Sequence, residues 1–338
     1  MSRTRVGVIG AGAWGKNHVR TLAGMKDVEL TAVCDASEAT RERVRTQYPD
    51  THVTDRPADL LGRVDAVVIA APAPLHCVLA LEAVAAGIPA LVEKPFALSV
   101  RDAEAMAEAA ELARVPLLVG HLLVHHPIID VLHGMLRDDS LGAPHYLYSQ
   151  RVNLGQVRPD ENALWSLGPH DVSIALHLLG EAPVSVAAHG HAYLQPGIED
   201  VVFLTMHFRS GVVAHAQLSW LDPHKERKLT VVGSRQMAVF DDMAPREKLR
   251  IYDKGIDRKE AFVSASESLS LREGDIRIPR VPGGEPLPLQ LAHFVRVARG
   301  SAPEKTDAAD GVRVVRVLEA ASRSLSAGGI PMTVENAG

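Results

Sequence analysis

The 338-residue sequence predicts an α/β protein with two domains: a doubly wound parallel sheet over residues 1–121 and an α+β domain with a large, mostly antiparallel sheet over residues 122–338. Three observations carry this prediction. Apolar strand-like runs alternate with helical segments through the first 120 or so residues, which is typical of βαβ units. A glycine-rich turn follows the first run, and after residue 140 the strand-like runs succeed one another with few helices between them.

The first-half strands are short apolar runs, as expected for parallel strands covered by helices on both faces. They are predicted at residues 5–9, 28–34, 65–71, 89–93 and 116–120. Helices are predicted between and after them at residues 13–25, 38–48, 75–86 and 99–114. Ser37 is the predicted N-cap of the second of these helices, because its hydroxyl can accept a hydrogen bond from the first turn.

The second half begins with a predicted helix at residues 128–137. The strands that follow are predicted at residues 145–154, 184–194, 201–208, 212–221 and 229–232. A helix at 169–179 interrupts them, with Pro169 in its first turn, where proline is well tolerated. Two late helices, at 287–299 and 308–326, could pack on either domain.

Composition and charge exclude several classes of protein. The 36 Lys and Arg residues against 41 Asp and Glu give a net charge of −5, which is not the basic footprint of a nucleic-acid-binding protein. Two cysteines are too few for a disulfide framework and fit a reducing cytosol. The apolar, uncharged stretch at residues 66–81 contains two prolines and a histidine and is too short to span a membrane. A cytoplasmic protein that binds neither nucleic acid nor membrane is the expectation.

Gly10, Gly12 and Gly15 form a G-x-G-x-x-G motif, with Ala13 and Trp14 between the last two glycines. Placed between a strand and a helix, this motif is typical of a Rossmann dinucleotide-binding turn. Asp35 ends the second strand, where a carboxylate can bind the ribose hydroxyls and would repel a 2′-phosphate. The sequence therefore favours NAD over NADP, although a glycine-rich turn that binds another nucleotide, or none, stays open.

Lys94 and His170 are the predicted catalytic residues. Lys94 follows a parallel strand, at the edge of the sheet where such folds place ligands, and a lysine there can hydrogen-bond a substrate hydroxyl. His170 follows Pro169, so we expect it at a helix N-terminus, where the dipole favours the neutral, basic ring. A surface lysine and a core or capping histidine are the alternatives.

Glu93-Lys94-Pro95, together with the glycine motif and the later His170-Asp171 pair, resembles the glucose-fructose oxidoreductase/inositol dehydrogenase/rhizopine catabolism (Gfo/Idh/MocA) family. This resemblance implies NAD(P)-dependent oxidation or reduction of a sugar or cyclitol carbon, often by homotetramers. Further segments resemble the branch that oxidises the 3-hydroxyl of UDP-N-acetylglucosamine (UDP-GlcNAc) or its uronate (UDP-GlcNAcA) for diamino-sugar synthesis. These segments are residues 148–155, 162–165, 169–174 and 219–225.

The resemblance also implies roles for individual residues. Lys94 and His170 would flank the reacting hydroxyl, and either could accept its proton. The cofactor-binding set would also include three residues that follow strands of the first domain: Pro72, His76 and Glu93. Three residues of the second domain would contact the substrate: Asn153, Arg158 and Trp165.

Two other functions stay open at this point. An inositol or free-sugar dehydrogenase would keep the same cofactor and lysine, but Ser166 stands where many inositol dehydrogenases have an aspartate base. A non-catalytic NAD- or sugar-sensing protein could use the same scaffold. No metal is expected, because Pro127 interrupts any helix that would pair His121 with His125. The charged segments 225–228 and 241–242 are interpreted as solvated turns and strand ends.

Overall fold

The computed structural model describes residues 3–258 and 269–335. The outermost residues of the two predicted domains, 1–2 and 336–338, lie outside this part of the chain. The described residues divide into two units. One contains the chain up to His126 together with Gly284–Arg316, and the other contains Pro127–Gly283 together with the chain from Val317 onward.

The first unit contains a six-stranded sheet in which every neighbouring pair is parallel. Its strands are β1 (Thr4–Ile9), β2 (Val28–Cys34), β3 (His52–Thr54), β4 (Ala66–Ile69), β5 (Ala90–Val92) and β6 (Leu117–Val119). Their order across the sheet is β3-β2-β1-β4-β5-β6. The order reverses between β1 and β4, which is where doubly wound sheets bind ligands. The predicted doubly wound parallel sheet is confirmed.

Five helices connect these strands: α1 (Gly15–Ala23), α2 (Glu38–Gln47), α3 (Pro57–Leu61), α4 (His76–Ala85) and α5 (Val100–Ala113). The strands between them are apolar and fully buried at the centre of the sheet, with Val6, Val68 and Leu91 at 0% exposure. The predicted N-cap of α2 is confirmed, because Ser37 Oγ accepts a hydrogen bond from the Thr40 N–H at 3.3 Å.

The second unit contains a nine-stranded sheet and begins with α6 (Pro127–Arg137). Helix α7 (Ala163–Leu179) also lies wholly within this unit. The strands are β7 (Pro144–Leu154), β8 (Pro183–His191), β9 (Val201–Phe208), β10 (Val213–Ser219), β11 (Leu221–Gly233), β12 (Met237–Asp241), β13 (Leu249–Arg258), β14 (Leu269–Arg277) and β15 (Met332–Thr333). Their order is β14-β13-β12-β11-β7-β10-β9-β8-β15, and all neighbours are antiparallel except β7 and β10.

The two faces of this sheet differ, as strand β7 illustrates. Leu147, Ser149 and Arg151 are buried, whereas Tyr146 and Tyr148 are 45% and 42% exposed. Helix α7 packs against β7, β9 and β10, so the buried residues belong to the helix-covered face. The alternation follows from the two-residue period of a strand.

Helix α8 (Pro286–Ala298) belongs to the first unit, and α9 (Ala308–Ser326) divides between the two units after Arg316. Leu291 and Phe294 of α8 share a buried cluster with Val19 and Leu22 of α1. The described part of the chain has no helix that is both long and apolar enough to cross a membrane.

Candidate functional site

The glycine-rich turn joins β1 to α1 in the first unit. Gly10 has a φ of +90°, and a Cβ at this position would lie 2.6 Å from backbone atoms of Ala70 and Ala71. A Cβ on Gly15 would lie 1.9 Å from the Gly10 carbonyl oxygen. A Cβ on Gly12 would meet no described atom within 4 Å. The outer two glycines therefore permit close packing of the turn, while Gly12 leaves open space at the start of a helix, as a bound pyrophosphate requires.

Asp35 follows β2 and contacts this turn. Its Oδ2 accepts a hydrogen bond from the Ala11 N–H at 2.7 Å, and its Oδ1 accepts one from the Ser37 N–H at 2.8 Å. Each carboxylate oxygen can accept more than one hydrogen bond, so both keep capacity for ribose hydroxyls. The guanidinium of Arg41, which could otherwise attract a 2′-phosphate, donates to the Asp35 carbonyl and pairs with Glu38. Asp35 can therefore accept hydrogen bonds from ribose hydroxyls beside the glycine-rich turn.

Glu93, directly after β5, is the centre of a buried hydrogen-bond network. Its Oε1 accepts a hydrogen bond from Trp14 Nε1 and lies equally close, at 2.7 Å, to His18 Nε2. Its Oε2 accepts from the backbone N–H of Lys94 at 3.1 Å. Burial alone would raise the pKa of Glu93, but the bonds from His18 and Trp14 and the charge of Lys94 lower it. Glu93 is thus an ionised carboxylate that joins the glycine-rich turn, α1 and the backbone of Lys94.

Pro72 and His76 lie after β4. Pro72 is exposed and precedes a 3-10 turn, whereas the His76 ring is buried. The ring nitrogens Nδ1 and Nε2 lie 2.8 Å from the Pro95 carbonyl oxygen and 2.9 Å from that of Ala71. Burial lowers the pKa of His76, although the two carbonyl contacts oppose this shift. The ring therefore ties the loop after β4 to the residue that follows Lys94.

The histidines near residue 121 are distributed over different local structures. His121 follows β6 and is buried, and burial lowers its pKa to about 4. His125 ends a 3-10 turn, and its ring lies 5.3 Å from that of His293. Among the described residues, no group of three or more His, Cys, Asp or Glu side chains could hold a metal ion.

The start of helix α7 corrects one sequence prediction. The helix begins at Ala163 rather than Pro169, so Pro169 and His170 lie inside it, and the helix-dipole argument for His170 loses its basis. Asn162 is the N-cap, accepting a hydrogen bond from the Trp165 N–H at 3.1 Å. An internal proline costs about 3 kcal/mol or more. Here most of the helix is buried, and that burial offsets the cost.

The other predicted residues of the second unit lie on α7, on β7 or between them. Asn153 is partly buried near the end of β7, and Arg158 is exposed and pairs with Glu161 at 3.0 Å. Trp165 is partly buried, and its indole N–H donates to Ser322 Oγ at 2.9 Å. His170 is partly buried on α7. These four residues therefore lie on β7, on α7 or in the segment that joins the two elements.

Next to His170, Asp171 forms a buried ion pair that the sequence analysis did not predict. Arg151 Nε donates to Asp171 Oδ2 at 2.6 Å, and Arg151 Nη2 lies 3.4 Å from Oδ1. The side chains of Arg151 and Asp171 are only 7% and 4% exposed. The pair fixes the α7 segment that carries His170 to strand β7.

The interpretation of residues 225–228 as solvated is also wrong for Arg227. This residue lies within β11, opposite Arg151 of β7, and is only partly exposed. No alternation in β11 reveals it, because Thr230 and Val232 are buried as well as Leu229 and Val231. In the other segment interpreted as solvated, residues 241–242, Asp242 Oδ1 accepts a hydrogen bond from Lys248 Nζ at 2.8 Å.

Two family models match the chain. The model described as "Oxidoreductase family, NAD-binding Rossmann fold" matches residues 4–121, and the model of the GFO/IDH/MocA C-terminal domain matches residues 132–239. Together they cover more than half of the sequence.

Several known proteins are similar over much of the chain. UDP-N-acetylglucosamine 3-dehydrogenase of Acidithiobacillus ferrooxidans is 31% identical over 261 residues, which is 75% of this chain and 79% of that protein. Inositol 2-dehydrogenase 2 of Saccharopolyspora erythraea is 31% identical over 222 residues, 63% of this chain and 66% of that protein. A crystal structure of GenD2 from gentamicin A biosynthesis, in complex with NAD, is 25% identical and has a TM-score of 0.82. The similarity covers 100% of this chain and 97% of the GenD2 chain.

Proposed function

The chain belongs to the GFO/IDH/MocA family of NAD(P)-dependent oxidoreductases, and we propose that it oxidises the 3-hydroxyl of UDP-GlcNAc or UDP-GlcNAcA to the 3-keto sugar, using NAD. The observation that carries the proposal is the 31% identity, over 75% of the chain, to a UDP-N-acetylglucosamine 3-dehydrogenase. Segments 148–155, 162–165, 169–174 and 219–225, which suggested this branch from the sequence, are consistent with it. The 3-keto product would be the substrate of an aminotransferase in diamino-sugar synthesis.

The choice of NAD rests on Asp35. A cofactor 2′-phosphate would face this carboxylate, and the nearby Arg41 is already paired with Glu38. Gly10, Gly12 and Gly15 would hold the pyrophosphate, with Ala13 and Trp14 completing the turn. Bound NAD would supply the hydride acceptor. Pro72, His76, Glu93 and Lys94 would complete the cofactor-binding surface, and the network around Glu93 would keep the Lys94 backbone in place.

Lys94 and His170 would perform the proton chemistry at the sugar. One of them would accept the proton of the 3-hydroxyl as the C3–H bond breaks, while the other would hydrogen-bond the same oxygen and orient it. The buried Arg151–Asp171 pair supports this role for His170, because it anchors the adjacent helical turn. Asn153, Arg158 and Trp165 would contact the sugar or its phosphates.

An inositol dehydrogenase is the second candidate, and one observation favours it: the inositol 2-dehydrogenase relative is also 31% identical, although over less of the chain. Ser166 opposes it. This residue is buried on α7 and has no carboxylate to act as a base. The UDP-sugar proposal is therefore preferred.

We also propose that the protein is a cytoplasmic homo-oligomer, a dimer or tetramer. The sheet face opposite α7 exposes aromatic side chains, including Tyr146, Tyr148 and Phe203. The two tyrosine rings are stacked, with centroids 6.3 Å apart. Exposed apolar groups of this kind are typical of association surfaces. Light scattering of the purified protein would measure its mass, and a monomer at micromolar concentration would refute the proposal.

The experiment that tests the activity is NADH formation by the purified protein with NAD and each of three compounds: UDP-GlcNAc, UDP-GlcNAcA and myo-inositol. Turnover of a UDP-sugar alone is the expected result. Turnover of myo-inositol alone would contradict the proposal and favour the second candidate. Dinucleotide released from denatured protein should be measured in parallel, because retained NADH would mask turnover. Bound dinucleotide, together with no turnover of any of the three compounds, would instead indicate a sensor protein.

A further inference from the structure

Strands β7 and β11 bring two arginines together on the helix-covered face of the nine-stranded sheet. Arg227 lies directly opposite Arg151 in the antiparallel register. Opposed side chains in such a pair have Cβ atoms about 4.5–5.5 Å apart and point to the same face. Leu229, two residues after Arg227, likewise lies opposite the buried Ser149 of β7. Arg227 therefore points to the side of the sheet that carries α7.

The carboxylates around Arg227 are already engaged by other cations. Both oxygens of Asp171 face Arg151, at 2.6 and 3.4 Å, and Asp242 accepts a hydrogen bond from Lys248. Within residues 3–258 and 269–335, the guanidinium of Arg227 forms no hydrogen bond or ion pair. Arg151, Lys248 and Arg227 thus share the negative charge of two nearby carboxylates, Asp171 and Asp242.

The surroundings of Arg227 disfavour its positive charge. Like charges directly opposite one another destabilise a sheet. Burial and the charge of Arg151 lower the pKa of Arg227, and Asp242 and Asp171 only partly oppose this shift. An anionic ligand between the strand and the helix would supply the missing negative charge. The planar guanidinium suits a carboxylate or a phosphate, which it can bind with two parallel hydrogen bonds.

Two residues assigned above to the substrate are close in sequence to Arg151 and Asp171. Asp171, the partner of Arg151, is next to His170 on α7. Asn153 lies two residues after Arg151 on β7 and therefore on the same face. We propose that Arg227 binds an anionic group of the substrate, either a carboxylate or a phosphate. This inference rests on the proposed function and adds a specificity-determining residue to it.

The test compares Arg227→Gln, which removes the charge, with Arg227→Lys, which keeps the charge but loses the planar fork. Arg209→Gln is the matched control, because Arg209 is exposed in the turn between β9 and β10. KM and kcat are measured with UDP-GlcNAc and with UDP-GlcNAcA. A hydrogen-bonded charge contact predicts a KM about 10–100-fold higher in Arg227→Gln with a smaller change in kcat. Arg227→Lys should fall between this variant and the wild type, and Arg209→Gln should match the wild type.

The two substrates distinguish the two sources of negative charge. A KM increase for UDP-GlcNAcA alone would identify the carboxylate, and equal increases for both substrates would identify the diphosphate. Unchanged KM values for both substrates in Arg227→Gln would overturn the inference.

Calorimetric binding separates this inference from the proposed activity. Wild type and Arg227→Gln are titrated with UDP and with glucuronate. If no UDP-sugar is oxidised, the proposed function fails. A tenfold or greater loss of binding of either compound in Arg227→Gln would still support the anion site. Equal binding by both proteins, or no binding of either compound to the wild type, would overturn it.

Discussion

The buried pair of Arg151 and Asp171 gives a prediction that can be worked out from the structure. Both side chains are less than a tenth exposed, and two N–H···O contacts join them. Asp171→Asn keeps the shape of the side chain but removes its charge, which leaves Arg151 buried without compensation. Breaking a buried pair in this way costs about 3–5 kcal/mol. Replacing both members, as Arg151→Met with Asp171→Leu, should stay within about 1 kcal/mol of the wild type, because apolar side chains of similar size remove both charges.

Tryptophan fluorescence can assign this loss to the second unit. The chain has three tryptophans, of which Trp165 and Trp220 lie in the second unit and Trp14 in the first. In a Trp14→Phe background, fluorescence during urea unfolding reports on the second unit alone. We expect Asp171→Asn to lower the free energy of unfolding seen by this probe by about 3–5 kcal/mol. A loss below about 1 kcal/mol, the value typical of exposed ion pairs, would refute the interpretation that the pair is shielded from water.

Four further predictions concern the first unit and the proposed reaction. Lys94→Ala and His170→Ala should each lower kcat by about 10²–10⁴-fold while NAD binding, measured by calorimetry, survives; wild-type turnover would remove that residue from the mechanism. Asp35→Ala should reduce the preference for NAD over NADP in kcat/KM, and an unchanged ratio would argue against its ribose contact. Gly15→Ala should abolish NAD binding, because its Cβ would lie 1.9 Å from a carbonyl oxygen of the same turn; wild-type affinity would contradict the packing argument. Because the pKa of His121 is about 4 when folded and 6.5 when exposed, the unfolded chain binds the extra proton. The contribution of His121 to the unfolding free energy should therefore fall by about 3 kcal/mol from pH 7 to pH 4. The total should fall less steeply in His121→Asn, and equal slopes in the two proteins would refute this assignment.

The parallel sheet and the dinucleotide turn were predictable because their signals are local. Central strands of a doubly wound sheet are buried on both faces, so they are continuous apolar runs in the sequence. Gly10, Gly15 and Asp35 also contact neighbours in sequence or at adjacent strand ends. The short strand β3, at the edge of the sheet and with only one buried residue, lacks such a signal.

The predictions that failed depend on contacts distant in sequence. Strands β13 and β14 were missed because they lie at one edge of the large sheet and are rich in charged residues. Their pairing is set by neighbouring strands rather than by an apolar pattern of their own. Pro169 indicated a helix start, but burial of α7 and the Asn162 cap extend the helix past it. Arg227 was interpreted as solvated because its position opposite Arg151 follows only from strand register.

The order in which the first unit is encoded has a consequence for its biosynthesis. Its sheet is complete at Val119, yet α8, which supplies Leu291 and Phe294 to the cluster around α1, is synthesised only after strands β7 to β14 of the large sheet. A nascent chain that has just emerged up to residue 126 therefore leaves the apolar side of α1 open to water or to a chaperone. Translation must pass residue 298 before that surface can be covered. A gene fragment that ends at residue 121, although it spans the whole dinucleotide motif, would encode a protein with part of its interior exposed.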